Sequence, residues 1–463
     1  MSTVPSGHQA LFVKFHSDCS PQQRDEIVTQ QFHGRLARWL PQIHTAIVHV
    51  PQVQVASILA RQGDIQLSSE EGTSDHSVTL EQPPRTPDGS ATELWGIRRL
   101  IWRIVRWFNR GQKDIVPPDK TGPDDTQPVE PITRPIIRVE PDGQVAACAD
   151  DSQLPDLDDY SKLDQPANSS APYNDPQLDA AYALSQIRAR QAWEIATGRG
   201  AIIAILDTGI DLAHPEFVDR ILPGFNFVAD NAIAQDDNGH GTHVAGIIGA
   251  ALNNGQGASG VAPNCTLLPI KVLDSQNMGS WSDVASGILY ALDHGAHIIN
   301  ISLGSTARPP DAVADAIALA TERSLVIAAA GNMAETSFFF PAALDSVVAV
   351  AATNSQGLRW SRSNYGDWVT LAAPGENIIS TTTEAGYEFR SGTSMATAFV
   401  SGVAALVREA HLESSIAIKE RIVGSAEPIS GGDSSNEQLG AGRVDALGAV
   451  GGEHQIFIPF ISG

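Results

Sequence analysis

The amino-acid sequence predicts an α/β fold, in which helices cover both faces of a parallel β-sheet, preceded by a small α+β domain. The first observation is that apolar runs rich in β-branched residues alternate with helical stretches from Asn174 onward: "AIIAILD", "TLLPIKVL", "AHIINISL", "SLVIAAAG" and "VVAVAAT". Such continuous apolar runs are typical of strands in a parallel sheet, because helices bury both faces of each strand. Functional residues in these sheets gather at the carboxyl ends of the strands.

The second observation concerns the region before residue 72. The runs "ALFVKF", "TAIVHV" and "DIQLSS" predict three strands. Between them, "SPQQRDEIVTQQFHG" predicts a helix with Ser20 as its N-cap and Pro21 at its first position, and "VQVASILARQG" predicts a helix that ends at Gly63. This order predicts a small sheet with helices on one face.

The intervening region is rich in Pro, Asp, Ser and Gln and is predicted to be largely disordered or extended. Within it, residues 94–110 form a basic amphipathic pattern, with apolar residues on one helical face and four arginines on the other. Contact with a membrane surface and docking on the acidic body of the protein itself remain equal alternatives. The predicted divisions are an α+β domain at 8–72, a linker at 73–173, a main domain at 174–450 and a tail at 451–463.

Charge and cysteine usage narrow the classes of function. The formal net charge of −23 argues against nucleic acid or an anionic membrane as the main partner. Cys19, Cys148 and Cys265 lie far apart in the sequence and indicate neither a disulfide framework nor a metal site. No basic region followed by an apolar run is visible at the N-terminus, and no segment is apolar enough to span a bilayer.

Four types of polar residue fall at predicted strand ends or helix starts on one side of the main sheet. Asp207 ends an apolar strand, His240 and His243 open a helix of small residues, Asn332 follows another strand, and Ser394 precedes a small-residue helix. Singly, each has a structural explanation, such as a turn or a helix cap. A zinc site is not indicated, because the histidines lack the H-E-x-x-H pattern. Together they supply the nucleophile, base, carboxylate and oxyanion donor that acyl transfer requires.

The motifs "AILDTGID", "HGTHVAG", "NISLGS", "AAAGN" and "GTSMA" resemble those of the subtilisin-like serine proteases (subtilases, peptidase family S8), in the same order along the chain. The resemblance covers roughly residues 174–450 and implies a serine endopeptidase that acts through an acyl-enzyme. It implies Ser394 as nucleophile, His240 as general base, Asp207 as the carboxylate that orients the imidazole, and Asn332 as oxyanion donor. His243 would then belong to the helix packing.

The same resemblance implies where an extended peptide substrate binds. Ser302-Leu303-Gly304 would pair with the peptide on one side and Asn277-Met278-Gly279 on the other, which suits a broad specificity for protein and peptide substrates. Leu303, Trp281 and Val284 would line an apolar fourth subsite. Phe339 would lie near the floor of the first specificity pocket and narrow it. We expect a monomer.

A structural calcium ion is a further implication, because "LNNGQGASG" resembles the calcium loop of the family. Hard oxygen ligands in a rigid loop suit calcium rather than zinc. Glu216 stands where an aspartate is more usual, and a glycine-rich turn without an ion is the alternative. The implied ligands are the side chains of Asn254, Glu216 and Asp175 and the backbone carbonyls of Leu252, Gln256 and Ala258.

The first domain resembles the propeptide of the family, a ferredoxin-like domain of the inhibitor I9 type that assists folding and then blocks the cleft with its tail. "DIQLSSEEG" would be that tail, and the protein would be a self-inhibited zymogen cleaved near Gly72 or near 172–175. A catalytically silent scaffold and a peptide ligase on the same fold are the alternative functions. The family implies an extracellular location, with a cytoplasmic one as the alternative because no signal peptide is visible.

Overall fold

The computed structural model describes residues 8–17, 19–60, 136–148, 173–430 and 438–451. The predicted strand and tail at 64–72, the basic helix at 94–110 and nearly all of the tail at 451–463 lie outside the described residues. Within the described ranges, no helix combines the length and the apolar character that crossing a bilayer requires.

The N-terminal domain is a four-stranded antiparallel sheet with the strand order β2-β3-β1-β4. Its first helix begins as expected, with Ser20 accepting a hydrogen bond from the Gln23 N–H and Pro21 in the first turn. Its elements are β1 (His8–Phe15), α1 (Pro21–Glu26), a π-helical turn (Ile27–Gln31), β2 (Arg35–Leu40), a 3₁₀ turn (Pro41–Ile43), β3 (Thr45–Pro51), α2 (Gln52–Ala60) and β4 (Ile136–Pro141).

The last strand of this domain comes from a part of the chain that the sequence assigns to the linker. β4 pairs with β1 from Leu11↔Pro141 to Phe15↔Ile136, so the predicted domain boundary at residue 72 is wrong. Residues 61–135 instead connect two elements of one domain. The sequence hides this strand because its partner lies more than a hundred residues earlier, and local composition does not report such pairing.

The larger domain is built on a seven-stranded sheet, β14-β13-β12-β10-β6-β8-β7, in which every pair is parallel. The strands of the larger domain, in chain order, are β5 (Gln144–Ala147), β6 (Ile202–Asp207), β7 (Phe225–Asn226), β8 (Thr266–Lys271), β9 (Met278–Ser280), β10 (Ile298–Ile301), β11 (Leu303–Gly304), β12 (Leu325–Ala329), β13 (Val348–Thr353), β14 (Leu371–Pro374), β15 (Ile378–Thr382) and β16 (Gly386–Arg390). Of these, β5, β9, β11, β15 and β16 lie outside the seven-stranded sheet. Its helices are α3 (Tyr182–Gln186), α4 (Ala189–Ala192), α5 (His240–Gly249), α6 (Trp281–Asp293), α7 (Asp311–Thr321), α8 (Thr393–His411), α9 (Ser415–Gly424) and α10 (Ala446–Val450), with a 3₁₀ turn at Pro215–Phe217.

Side chains of the central strands alternate between two apolar layers. Ile203 and Ile205 of β6 belong to the cluster that includes α5 and α8. Ala204 and Leu206 belong to the cluster that includes α6 and α7. The predicted α/β fold, with helices on both faces of a parallel sheet, is therefore confirmed.

One face of the N-terminal sheet packs against α6 and α7. Phe12 and Ile47 of this sheet share a buried cluster with Ile288 and Ile317 of the two helices. Charged pairs surround this apolar contact: Lys14 with Asp315, Arg138 with Asp311, and Arg38 with Asp283 at 3.2 Å. In each pair the N-terminal domain supplies the cation and the larger domain supplies the carboxylate.

Strand β5 follows β4 directly and joins the larger domain. It lies between β11 and β9 and is antiparallel to both. Residues 144–148, called here the cleft segment, thus run across the carboxyl edge of the central sheet.

Candidate active site

Asp207 and His240 meet at the carboxyl edge of the sheet, where β6 ends and α5 begins. The His240 Nδ1 lies 2.7 Å from the Asp207 Oδ1, and both side chains are fully buried. A carboxylate at Nδ1 favours the tautomer that carries its proton there, which leaves the Nε2 lone pair free to accept a proton. The Nε2 atom has no hydrogen-bond partner among the described residues.

Ser394 lies in the first turn of α8 and is fully buried. Its hydroxyl donates to the Ser302 carbonyl at 3.0 Å. The Ser302 hydroxyl in turn donates to the Ser394 carbonyl at 3.2 Å. These two bonds fix the first turn of α8 against the chain segment that leads into β11.

Asn332 and the backbone N–H of Ser394 both point at the carbonyl oxygen of Cys148. The Asn332 Nδ2 donates to this oxygen at 2.7 Å and the Ser394 N–H at 3.4 Å. The Asn332 Oδ1 accepts from the backbone N–H and the hydroxyl of Thr393 at 3.0 and 2.9 Å, which fixes the orientation of the amide. Two convergent donors on one carbonyl oxygen form the arrangement that stabilises an oxyanion.

The two predicted substrate strands flank the cleft segment. On one side, the Cys148 N–H donates to the Ser302 carbonyl at 3.0 Å, and Ala147 and Ala146 pair with Leu303 and Gly304. The cleft therefore holds residues 144–148, whereas the sequence predicts a tail at 64–72 for this position. The sequence predicts a different segment because it gives no sign of β4, the strand that leads into residues 144–148.

On the other side of the cleft segment, the Ala147 N–H donates to the Asn277 carbonyl at 3.2 Å, and Ala146 pairs with Met278. Val145, which pairs with Gly279, shares a buried cluster with Trp281, Val284 and Leu303, the residues expected to line the fourth subsite. A peptide that runs through the cleft thus gains main-chain hydrogen bonds on both edges. In the cleft segment the buried side chains are those of Val145 and Cys148.

Comparison with known proteins agrees with this architecture. Residues 198–442 match the family model described as the subtilase family (Peptidase_S8). The chain is 42% identical over 279 residues to thermitase of Thermoactinomyces vulgaris, a match that covers 60% of this chain and 98% of thermitase. The chain belongs to the subtilase family. It is a serine endopeptidase.

Further relatives of this subtilase cover a similar share of it. Subtilisin Savinase of Lederbergia lenta is 41% identical over 256 residues, with 55% of this chain and 92% of Savinase covered. A solved structure described as proteases from Pseudoalteromonas arctica PAMC 21717 aligns with a TM-score of 0.57 and 30% identity, over 60% of this chain and 99% of that chain.

Phe339 of the subtilase is nearly buried, with 8% of its surface exposed. It forms a small apolar cluster with Cys148 and Ala329, against which the half-buried Trp368 packs. The ring therefore lies beside the last residue of the cleft segment. Burial raises the pKa of the Cys148 thiol far above its ordinary value, so this side chain is neutral in the cleft.

His243 lies one helical turn beyond His240 and is also fully buried. Its Nε2 contacts the Glu388 carbonyl at 3.1 Å. Burial, together with the nearby charge of Arg390, lowers the pKa of His243 well below its ordinary value. The ring is therefore neutral, and its contacts are those of a packed helix residue, in agreement with the role the sequence predicts.

The six residues implied as calcium ligands lie together around the loop that follows α5. The Asp175 carboxylate accepts the N–H groups of Asn253, Asn254 and Gly255 at 2.8–3.1 Å. The Glu216 carboxylate accepts from the Asn254 amide at 2.6 Å and from the Tyr387 hydroxyl at 2.7 Å. Leu252, Gln256 and Ala258 are in the same loop. No group of three or more His, Cys, Asp or Glu side chains suited to a metal occurs in the part of the chain described, so an ion here would depend on backbone carbonyls.

Asp236 is a buried carboxylate that the sequence analysis does not single out. Its oxygens accept from the Thr208 hydroxyl at 2.8 Å, from the Gly239 N–H at 2.9 Å, and from the N–H and hydroxyl of Thr242 at 2.9 and 2.6 Å. Burial opposes the charge of Asp236, but these hydrogen bonds outweigh it and lower its pKa. One ionised side chain thus joins the residue after Asp207 to the residues on either side of His240. The position of Asp236, four residues before His240, is the only sequence signal that could have indicated this role.

We predict that Asp236→Ala lowers kcat by at least about tenfold, because the Asp207–His240 contact loses its support. The substitution also leaves buried N–H groups without an acceptor, which costs about 1–3 kcal/mol of folding stability for each. Steady-state kinetics and thermal unfolding measure the two effects. Asp236→Asn retains one acceptor oxygen and should recover part of kcat. A lower Tm with an unchanged kcat would show that Asp236 supports the fold alone.

Proposed function

We propose that this subtilase hydrolyses peptide bonds through an acyl-enzyme on Ser394, and that residues 8–148 hold it as an inhibited zymogen. The observation that supports both parts best is the Cys148 carbonyl. It accepts from the Asn332 Nδ2 and the Ser394 N–H, and it ends a strand that is hydrogen-bonded on both edges of the cleft. This is the position that the reacting carbonyl of a substrate would take.

In the proposed reaction, the Ser394 hydroxyl turns from the Ser302 carbonyl to the His240 Nε2 and passes its proton there as the oxygen attacks the substrate carbonyl. The Asp207 carboxylate stabilises the imidazolium that forms. Asn332 Nδ2 and the Ser394 N–H hold the oxyanion, and one such donor contributes about 3–4 kcal/mol to transition-state stabilisation, a value that the subtilisin relatives themselves provide. His240 then gives its proton to the leaving amine, and water hydrolyses the acyl-enzyme by the same steps.

The cleft segment supports cleavage between Cys148 and Ala149. Cys148 has the contacts expected of the residue on the acyl side of the scissile bond, and Ala147, Ala146 and Val145 occupy the next positions along the cleft. Neither Gly72 nor residues 172–175 have a comparable basis. After cleavage, the same main-chain hydrogen bonds would keep the segment in place as a product inhibitor.

The first test is intact-mass analysis of the purified full-length chain during incubation. Wild type should be cut into a fragment that ends at Cys148 and a remainder, whereas Ser394→Ala should stay whole, because no nucleophile remains. Ser401→Ala is the matched control: Ser401 lies on the same helix, seven residues beyond Ser394, and its hydroxyl donates to the Asn300 Oδ1 at 2.9 Å. Processing of pure Ser394→Ala would exclude Ser394 as the nucleophile, and an unprocessed, inactive wild type would favour a silent scaffold.

We also propose that the docking of the N-terminal domain depends on pH through Asp142. This side chain accepts the Ser282 N–H at 3.0 Å at the start of α6. Burial, with a contribution from the neighbouring Asp283, raises the pKa of the Asp142 carboxyl from 3.8 to about 7. The docked domain therefore holds a proton that a released domain gives up. The contribution of Asp142 to docking should be largest below about pH 4 and should fall by up to about tenfold per pH unit as the pH rises to 7.

We predict that Asp142→Asn flattens this pH dependence, since an amide keeps an acceptor for Ser282 and does not titrate. The measurement is the rate at which peptidase activity appears after processing, between pH 5 and pH 8. Activation should accelerate with pH more steeply in wild type than in the variant. Burial raises the pKa of Glu140 and lowers that of His49, but these contributions are the same in both proteins. Equal pH profiles would exclude Asp142 as the titrating group.

For calcium, we propose that Asp175, Glu216 and Asn254, with the carbonyls of Leu252, Gln256 and Ala258, hold one ion. The residues fit such an ion, because two buried carboxylates meet beside the loop and each carboxylate oxygen can take more than one partner. Burial and, to a smaller extent, the charge of Asp175 raise the pKa of Glu216, a shift that a bound cation would oppose. The ion would stabilise the loop and the N-terminal end of the main domain, to which Asp175 belongs.

We predict that EDTA lowers the Tm of the full-length protein by several degrees and that Ca²⁺, but not Mg²⁺, restores it. Differential scanning calorimetry on Ser394→Ala avoids interference from self-cleavage. In Glu216→Gln the response to Ca²⁺ should disappear. A Tm that does not change with EDTA would favour the glycine-rich turn without an ion.

A further inference from the structure

The ring of Phe339 fills the space between two backbone segments beside the Cys148 carbonyl. A Cβ added at Gly304 would lie 2.4 Å from the Phe339 Cε1, and one added at Gly331 would lie 3.0 Å from the Phe339 Cγ. Distances this short mean that the ring touches both backbones directly. The slot between β11 and the end of β12 is thus occupied by a side chain of the enzyme.

The side chain of Cys148 ends against this ring. Cys148 is 5% exposed and belongs with Ala329 and Phe339 to one small buried cluster, which Trp368 covers. A cysteine adds a single heavy atom beyond its Cβ, and that atom completes the cluster. The residue that the cleft accepts here is therefore a small one.

The backbone on either side of Phe339 is held in place. Phe340 exchanges two hydrogen bonds with Ser305, both at 2.9 Å, and the Phe339 carbonyl accepts from the Ala343 N–H at 2.9 Å. Because these bonds tie the loop to the end of β11, the backbone that carries the ring cannot move away from the slot without breaking them. A larger side chain in the same place would have to displace an aromatic ring that is packed on several sides.

We propose that Phe339 restricts this subtilase to small, uncharged residues at the position before the scissile bond: Ala, Ser, Cys and Gly. This inference rests on the proposed function. Leu, Phe and Tyr are excluded by volume, and Lys, Arg, Asp and Glu by the loss of hydration against the apolar cluster of Ala329, Phe339 and Trp368. The residues at the end of the cleft segment, Ala146-Ala147-Cys148, are all small.

The first experiment compares peptides that differ only at this position, with Ala or Phe before the scissile bond, after the full-length chain has processed itself. Phe339→Gly should raise the ratio of kcat/KM for Phe over Ala by at least about 100-fold. Phe338→Ala is the matched control, because Phe338 is 59% exposed and contacts Phe340 and Trp368 at their edges. The control should keep the wild-type ratio.

The second experiment uses the chain as its own substrate, and its first comparison needs no Phe339 variant. Cys148→Phe should slow self-processing by at least about 100-fold, whereas Cys148→Ala should process at nearly the wild-type rate. The double variant Cys148→Phe with Phe339→Gly should regain processing, since the ring of the substrate then takes the place of the ring that was removed.

The outcomes separate this inference from the proposed function. Rapid processing of Cys148→Phe in the wild-type background, or a Phe339→Gly enzyme with an unchanged preference, would overturn the role of Phe339 while leaving the peptidase activity intact. If wild type cleaves no peptide and does not process itself, the proposed function fails instead. If Phe339→Gly does not fold, the rates of Cys148→Phe and Cys148→Ala still decide the question.

Discussion

The active-site geometry of this protein depends on how closely helix α8 lies against the central sheet. The helix is buried from Thr393 to Val407 and consists largely of small residues on the sides that face its neighbours. At Gly402, an added Cβ would lie 2.5 Å from the Cβ of Val261, so even a methyl group would push the helix away. Because the helix is fixed along its whole length, its first turn is fixed too, and Ser394 is held at the carboxyl edge of the sheet.

Buried hydrogen bonds fix the other candidate catalytic groups relative to this helix. Thr393 donates to the Asn332 Oδ1 and accepts the Gly331 N–H at 3.0 Å. Asn332 and Ser394 are therefore held in place by the same residue. Asp236 likewise accepts from Thr208, which follows Asp207, and from Gly239, which precedes His240. Donors and acceptors held in this way need little reorganisation during the reaction, which is the main source of electrostatic catalysis.

The N-terminal domain packs against α6 and α7, two helices that contain none of the candidate catalytic residues. Glu140 accepts the Asp311 N–H at 2.7 Å at the start of α7, and Asp142 accepts the Ser282 N–H at the start of α6. Acceptor oxygens are favoured at helix N-termini, where backbone N–H groups lack partners within the helix. Two such contacts, two residues apart in the chain, align the segment that follows with the cleft.

The sequence by itself determined the α/β fold and the position of the residues that meet at the carboxyl edge of the sheet. It could do so because apolar runs mark the parallel strands, and the motifs place Asp207, His240, Asn332 and Ser394 at the ends of strands or the starts of helices. These are local properties of short segments. The topology of a parallel sheet then brings strand ends together wherever they lie in the chain.

Only the tertiary structure decided which segment lies in the cleft, how the candidate catalytic side chains are supported, and which backbone segments Phe339 contacts. β4 and the cleft segment pair with strands that lie far from them in sequence, and the Pro- and Asp-rich surroundings conceal them. Asp236 acts through hydrogen bonds to groups on both sides of it, and Phe339 acts through contact with two glycines, Gly304 and Gly331, that are distant in the chain. Such contacts depend on distances between packed segments, which no local pattern of residues encodes.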